Sequence, residues 1–209
     1  MKHAENRREY EDEVLERVDG VTRWDEARDC VLFHSKMAAT CNIPTKICLV
    51  NDEDSRTIHR NEWRAGQEYN LCWEGGRGVT SKEDREYELE RIRRMVDDVE
   101  LKSSSCPLRY CVRSLAKHVE ENEPTLEAKD EHVTVIICTQ GRATNRDGEN
   151  GSRFLRDFQD ELSRLSRLPV KIIIRLTTDS EEVRDVFNTM DGRFDSIDVL
   201  DDYWGEVSS

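Results

Sequence analysis

The sequence predicts an α/β protein built on a doubly wound, mostly parallel sheet of the Rossmann-like kind, with helices on both faces. Two dense apolar runs, "VTVIIC" (133–138) and "PVKIIIRL" (169–176), are short and rich in β-branched residues, the pattern of buried strands. The segments that follow each of them carry apolar residues at helical spacing. The second half therefore alternates strand, helix, strand, helix, strand, and that alternation builds a parallel sheet covered by helices.

Taken in order, residues 1–22 form a charged arm with a thin helical stripe of Tyr10, Val14 and Val18, and residues 23–209 form the domain. "RWDEARDCVLFHSKMAATCNIP" places Trp24, Ala27, Val31 and Ala38, with Cys30, Met37 and Cys41, on a broad apolar face. That face predicts a helix largely buried against a sheet, ended by Asn42 and Pro44. "KICLV" (46–50) reads as a strand buried on both faces, and the alternation of Tyr69, Leu71 and Trp73 as an edge strand. Ser81 with Asp84 forms a relaxed capping box before a helix striped by Leu89, Ile92, Val96 and Val99. A further helix, opening near Cys106-Pro107, carries Leu108, Cys111, Val112, Leu115 and Val119. The helix at 152–168 presents Phe154, Leu155, Phe158, Leu162 and Leu165; the next presents Val183, Val186, Phe187 and Met190, and "SIDVL" closes as a short strand.

The bulk properties restrict function. The 209 residues suit one domain, and the formal net charge of −13 opposes a general nucleic-acid binder, which needs clustered Lys and Arg. It equally opposes an anionic membrane surface. No apolar run approaches the ~20 residues of a membrane-spanning helix, and the N-terminal stretch has no apolar signal-peptide core, so export is not expected. Seven cysteines, an odd number, read as reduced thiols in a cytoplasmic setting.

"RWDEARD", a strand ending at Asn51, a "-PL-" segment opening a helix, and "IICTQGRAT…FLRDFQDELSRLSRLPVKIIIRLTTD" together resemble the von Willebrand factor A-like (vWA) fold, in particular its intracellular members. The resemblance spans roughly residues 23–205 and is most specific over 133–179. It implies a metal-ion-dependent adhesion site formed by three loops, and this sequence departs from that pattern at each one. No Asp-x-Ser-x-Ser motif precedes Trp24, and the central strand that would carry it has no candidate. Cys106-Pro107-Leu108 replaces Thr-Pro-Leu, with Ser105 the nearest hydroxyl, and Thr139-Gln140-Gly141 replaces Thr-Asp-Gly. Divalent cations such as Mg²⁺ are recruited mainly by carboxylate charge, so Ser105, Cys106 and Gln140 mark a degenerate metal site.

Loops after parallel strands are where ligands bind, which makes Asn51, Asp52, Asp54, Thr139, Gln140, Thr177 and Asp179 the ligand-edge candidates. The bland reading is that such loops are polar because they are exposed, with Asp179-Ser180 capping the next helix. "GGRG" (75–78) lacks the Lys of a phosphate loop and reads as a turn. The histidines are scattered, no Cys-x-x-Cys occurs, and Cys106 is the one thiol whose setting would lower its pKa. The sequence thus predicts an intracellular vWA-like protein-interaction module with a protein partner and no cofactor. The competing expectation is a Rossmann-like hydrolase, or a Mg²⁺-type cation-dependent enzyme, using Asp52, Asp54, Thr139 and Asp179.

Overall fold

The computed structural model describes residues 22–50, 68–72, 81–98, 108–141, 152–178 and 180–200. The chain is mixed α/β and divides into two compact units, Met1–Ser55 with Ala65–Lys102, and Arg56–Arg64 with Ser103–Ser209. Each is described by itself. Of the charged arm, only Thr22 falls within the described residues.

The first unit opens with α1, Arg23–Cys41, set by a capping box at Thr22. The Thr22 hydroxyl oxygen accepts from the Asp25 amide at 3.1 Å, and the Asp25 carboxylate accepts from the Thr22 amide at 2.8 Å and hydroxyl at 2.7 Å. Two orphan amides of the first turn are thereby satisfied. These hydrogen bonds from Thr22, with a smaller contribution from Arg28, hold the Asp25 carboxyl below its ordinary pKa. Asn42 ends the helix in the left-handed region at φ 53°, and the Ile43 amide returns to the Ala38 carbonyl at 2.9 Å.

The buried face of α1 matches the expected one in part: Ala38 is buried and Trp24 and Val31 pack on the core, Ser35 and Ala39 are buried with them, while Met37 and Cys41 are exposed. Small side chains allow α1 to approach α2, Lys82–Asp98, which buries Ile92, Met95 and Val96. Ser35 tolerates burial because its hydroxyl donates to the Val31 carbonyl at 2.7 Å. Helix α2 starts at the expected capping box, with the Ser81 hydroxyl donating to Asp84 at 2.7 Å and the Asp84 amide returning to it at 3.1 Å.

Strand β1, Thr45–Cys48, pairs antiparallel with β2, Glu68–Leu71, in a two-stranded ribbon. "KICLV" is therefore not the strand buried on both faces that its apolar run predicts. Lys46 is exposed, and Ile47 and Leu49 lean half-buried on the cluster of Ala38, Ala39, Leu71, Cys72, Ile92, Met95 and Val96. Past β2, the Cys72 amide donates to Glu88 of α2 at 2.9 Å, tying ribbon to helix.

The second unit runs α3 (Leu108–Lys129), β3 (Val133–Thr139), α4 (Ser152–Leu165), β4 (Val170–Leu176), α5 (Glu181–Asp191) and β5 (Ile197–Leu200). Its three strands form a parallel sheet in the order β3-β4-β5. Val133 aligns with Val170 and Thr139 with Leu176; Ile172 aligns with Ile197. On β4, Val170, Ile172, Ile174 and Leu176 are buried while Lys171, Ile173 and Arg175 are half-buried, the period of two expected of a strand. Phe158 and Phe187 meet with ring centroids 6.1 Å apart, so α4 and α5 cover the same face of the sheet. Helix α3 runs past Pro124 to Lys129, beyond the last expected stripe residue, Val119. Pro124 is exposed, where water can serve the carbonyl that loses its amide partner.

Helix α3 is fastened to α4 by charge as well as by Leu108, Val112, Ala116 and Val119. Arg109 pairs with Asp157, Arg113 Nε donates to Glu161 at 2.6 Å, and Arg164 grips Glu120 with two bonds of 2.9 and 2.6 Å. The Glu120 hydrogen bond is the main cause that raises the Arg164 pKa.

Two outcomes follow from these contacts. Thr22→Ala destabilises the chain by about 1 kcal/mol at neutral pH. Because the folded Asp25 carboxyl has a lowered pKa, its contribution is complete above about pH 4 and is lost as the pH falls through the folded value. The gap between Thr22→Ala and the parent in urea melts therefore narrows in acid. Arg113→Met leaves the Glu161 carboxylate, 11% exposed, with Arg164 at 3.9 Å as its remaining described partner, and costs about 1–3 kcal/mol. Replacing Arg113 and Glu161 together by Met and Leu costs less than that single change in the same melts.

Candidate functional site at the C-terminal edge of the sheet

Strands β3 and β4 end side by side, and the segments beyond them form the edge where parallel sheets hold ligands. The Thr177 amide donates to the Thr139 carbonyl at 3.0 Å, extending the ladder one residue past β4 and bringing these two predicted site residues together. Thr139, Thr177 and Thr178 are all buried, and Gln140 is half-buried. Asn51, Asp52, Asp54, Ser105, Cys106 and Asp179 lie outside the described residues.

Two of the hydroxyls organise their own loops. Thr139 Oγ1 accepts from the Gly141 amide at 3.0 Å, and Thr178 Oγ1 accepts from the Ser180 amide at 3.3 Å. Gly141 sits at φ +78°, and a Cβ there would lie 2.2 Å from Val183 Cγ1 and 2.9 Å from Phe187 Cε2. Gly141 thus lies against α5, in a backbone conformation and a space that glycine suits. Ser180 occupies the N-cap of α5, but its hydroxyl makes no capping bond, in contrast to the expected Asp179-Ser180 cap. Glu181 and Glu182 in the first turn complement the positive end of the helix and oppose an incoming anion there.

A threonine that accepts an amide bond still has its own proton to donate. The described part of the edge therefore offers hydroxyl donors and the neutral Gln140 amide, chemistry suited to hydrogen-bonding a polar group. A divalent cation needs carboxylate charge. Among the described residues no group of three His, Cys, Asp or Glu side chains is arranged to hold a metal ion. A shallow depression lined by Glu181, Arg184, Asp185 and Asn188 lies along α5 and involves none of the predicted residues.

Sequence reasoning placed Thr178 and Gly141 in the loops of this edge but missed Val183 and Phe187, which it read only as members of the stripe of the following helix. The available signal was the glycine two residues beyond a buried strand's last threonine, a place where the backbone can approach a neighbouring helix closely. No family model and no curated protein matches the chain.

The packing of this loop sets an expectation. Gly141→Ala combines a left-handed backbone cost of about 1–2 kcal/mol with an overpacking cost of about 1–3 kcal/mol. Chemical denaturation of the purified variant should therefore show a loss of several kcal/mol, whereas Thr139→Val, which removes one hydrogen bond, costs about 1 kcal/mol.

Proposed function

We propose that this chain is a vWA-like protein-interaction module that acts inside the cell, on a doubly wound domain, with no cation at the Gln140 loop. The observation that carries the reading is on α1. Phe33 and Met37 stand one turn apart on its outer face, and Ile43 follows just past its end; they are 58%, 50% and 52% exposed. An aromatic and a methionine projecting from a helix are the anchors by which a helix enters an apolar groove of another protein. Asp29 beside them is exposed, and the chain carries a net charge of −13, so the matching groove has a basic rim.

Two further points support the reading. The resemblance over residues 133–179 brings the vWA-like expectation, and the neutral Gln140 stands where that resemblance implies a carboxylate. No helix of the described residues is long and apolar enough to cross a membrane.

The test has two parts. Phe33→Glu with Met37→Glu alters exposed side chains, so the folded state changes by no more than about 0.5 kcal/mol. A photo-reactive group placed at exposed Lys36 cross-links one partner to the parent chain in cells, and the double variant loses that adduct. In the second part, the parent melts at the same temperature with and without millimolar Mg²⁺, Mn²⁺ or Ca²⁺. A rise in melting temperature with metal, abolished by Asp52→Asn with Asp54→Asn, overturns the reading in favour of a cation-dependent enzyme.

A further inference from the structure

The two edges of the parallel sheet are treated differently by the chain. At β5 the outward amides are closed by the chain itself. Ile197 N donates to the Phe194 carbonyl at 3.0 Å, and Val199 N donates to the Asp191 carboxylate at 3.1 Å. Lys171 reaches across from β4 to Asp198 at 2.9 Å and places charge along that short strand. Such devices protect a sheet edge from adding another strand.

Strand β3 has none of them. The Val133 amide donates to the Pro169 carbonyl and the Thr139 carbonyl accepts from the Thr177 amide, which fixes the odd-numbered residues of β3 as the ones facing β4. Thr134 and Ile136 therefore turn their backbone groups outward, and these have no partner among the described residues. All seven residues, Val-Thr-Val-Ile-Ile-Cys-Thr, are uncharged, without proline. Val133, Val135 and Ile137, on the helix-covered face, are half-buried, whereas their counterparts on β4 are fully buried. Thr134 is exposed and Ile136 half-buried on this edge.

We infer that β3 pairs antiparallel with β3 of a second copy of this chain, joining two three-stranded sheets into one of six strands. A two-fold axis through Val135 sets Thr134 opposite Ile136 of the copy, and the reverse. Each such pair exchanges two backbone bonds, so four form from groups that have no partner among the described residues. In this register Glu131 lies opposite Thr139 of the copy and Asp130 opposite Gln140. A chain of net charge −13 thereby meets itself along a neutral line with no carboxylate facing another. The axis is perpendicular to the sheet, which keeps both sets of helices on one side and places Val133, Val135 and Ile137 beside their equivalents. This surface is distinct from the α1 face, and either assignment can fail without the other.

The experiment is analytical ultracentrifugation of the full chain across a micromolar range, with amide hydrogen exchange measured at Thr134 and Ile136. The expected result is a monomer–dimer equilibrium in which both amides become protected as the dimer fills. Thr134→Lys puts a charge on an exposed edge position, and Ile136→Pro removes an amide that β4 does not use. Each weakens the dimer by about tenfold or more. Thr134→Lys leaves the monomer's melt unchanged, which separates edge disruption from misfolding. A chain that stays monomeric at every concentration overturns the inference. So does a dimer whose Thr134 and Ile136 amides exchange freely, or one that Thr134→Lys leaves intact.

Discussion

Strand β4 is hydrogen-bonded along both edges, to β3 on one side and β5 on the other, and the second unit is organised around that fact. Both neighbours run parallel to it, and a parallel neighbour needs a crossover, here a helix each time, to carry the chain back. Crossovers of this kind are almost always right-handed. With consecutive strands adjacent in space, both crossovers then deposit their helices on the same face. That is where Phe158, Leu162 and Leu165 of α4 meet Phe187 and Met190 of α5 over Val170, Ile172, Ile174 and Leu176. A buried aliphatic side chain contributes about 1.5–3 kcal/mol, as an upper estimate. The four from β4 alone form a large part of the unit's apolar stabilisation.

The same geometry explains the charge ladder. Helix α3 leads into β3 and α4 leads away from it, so the two helices run in the same direction. Arg109 and Arg113 on one helix are a turn apart, as are Asp157 and Glu161 on the other. The pairs advance together, and a slip of one turn would break both. Exposed ion pairs add little stability, but Glu161 is buried enough that leaving it unpaired is costly. The apolar stripe of α3 holds the helices together, and the carboxylates determine which turn lies against which.

The apolar runs at 133–138 and 169–176 were legible because β-branched residues over six or seven positions have few other uses. The helix stripes were legible for a similar reason, and most of their members are buried: Ile92 and Val96, Leu108, Val112 and Val119, Phe158, Leu162 and Leu165, Phe187 and Met190. Other features depend on partners that periodicity does not name. "KICLV" is as apolar as a central strand, yet it joins a ribbon with β2, because pairing is decided by what is nearby in space. On α1, the expected face held for Trp24, Val31 and Ala38, but close helix packing added Ser35 and Ala39 and left Met37 and Cys41 outside. At the site, the pairing of Thr139 with Thr177 could be anticipated from the strand ends. The descent of Gly141 onto Val183 and Phe187 could not, since it depends on where α5 lies.

That last contact bears on how a sheet of this kind comes to bind anything. Ligand crevices in open parallel sheets form at the switch point, where neighbouring strands send their loops to opposite faces and the loops part. Between β3 and β4 there is no such reversal. Helices α4 and α5 cover the same face, Gly141 lies against the helix that follows β4, and Thr139, Thr177 and Thr178 are buried. Among the described strands, the flank of β3 that faces away from β4 is where the winding can still reverse and where backbone groups remain to be satisfied. The self-pairing inferred for β3 would use that flank.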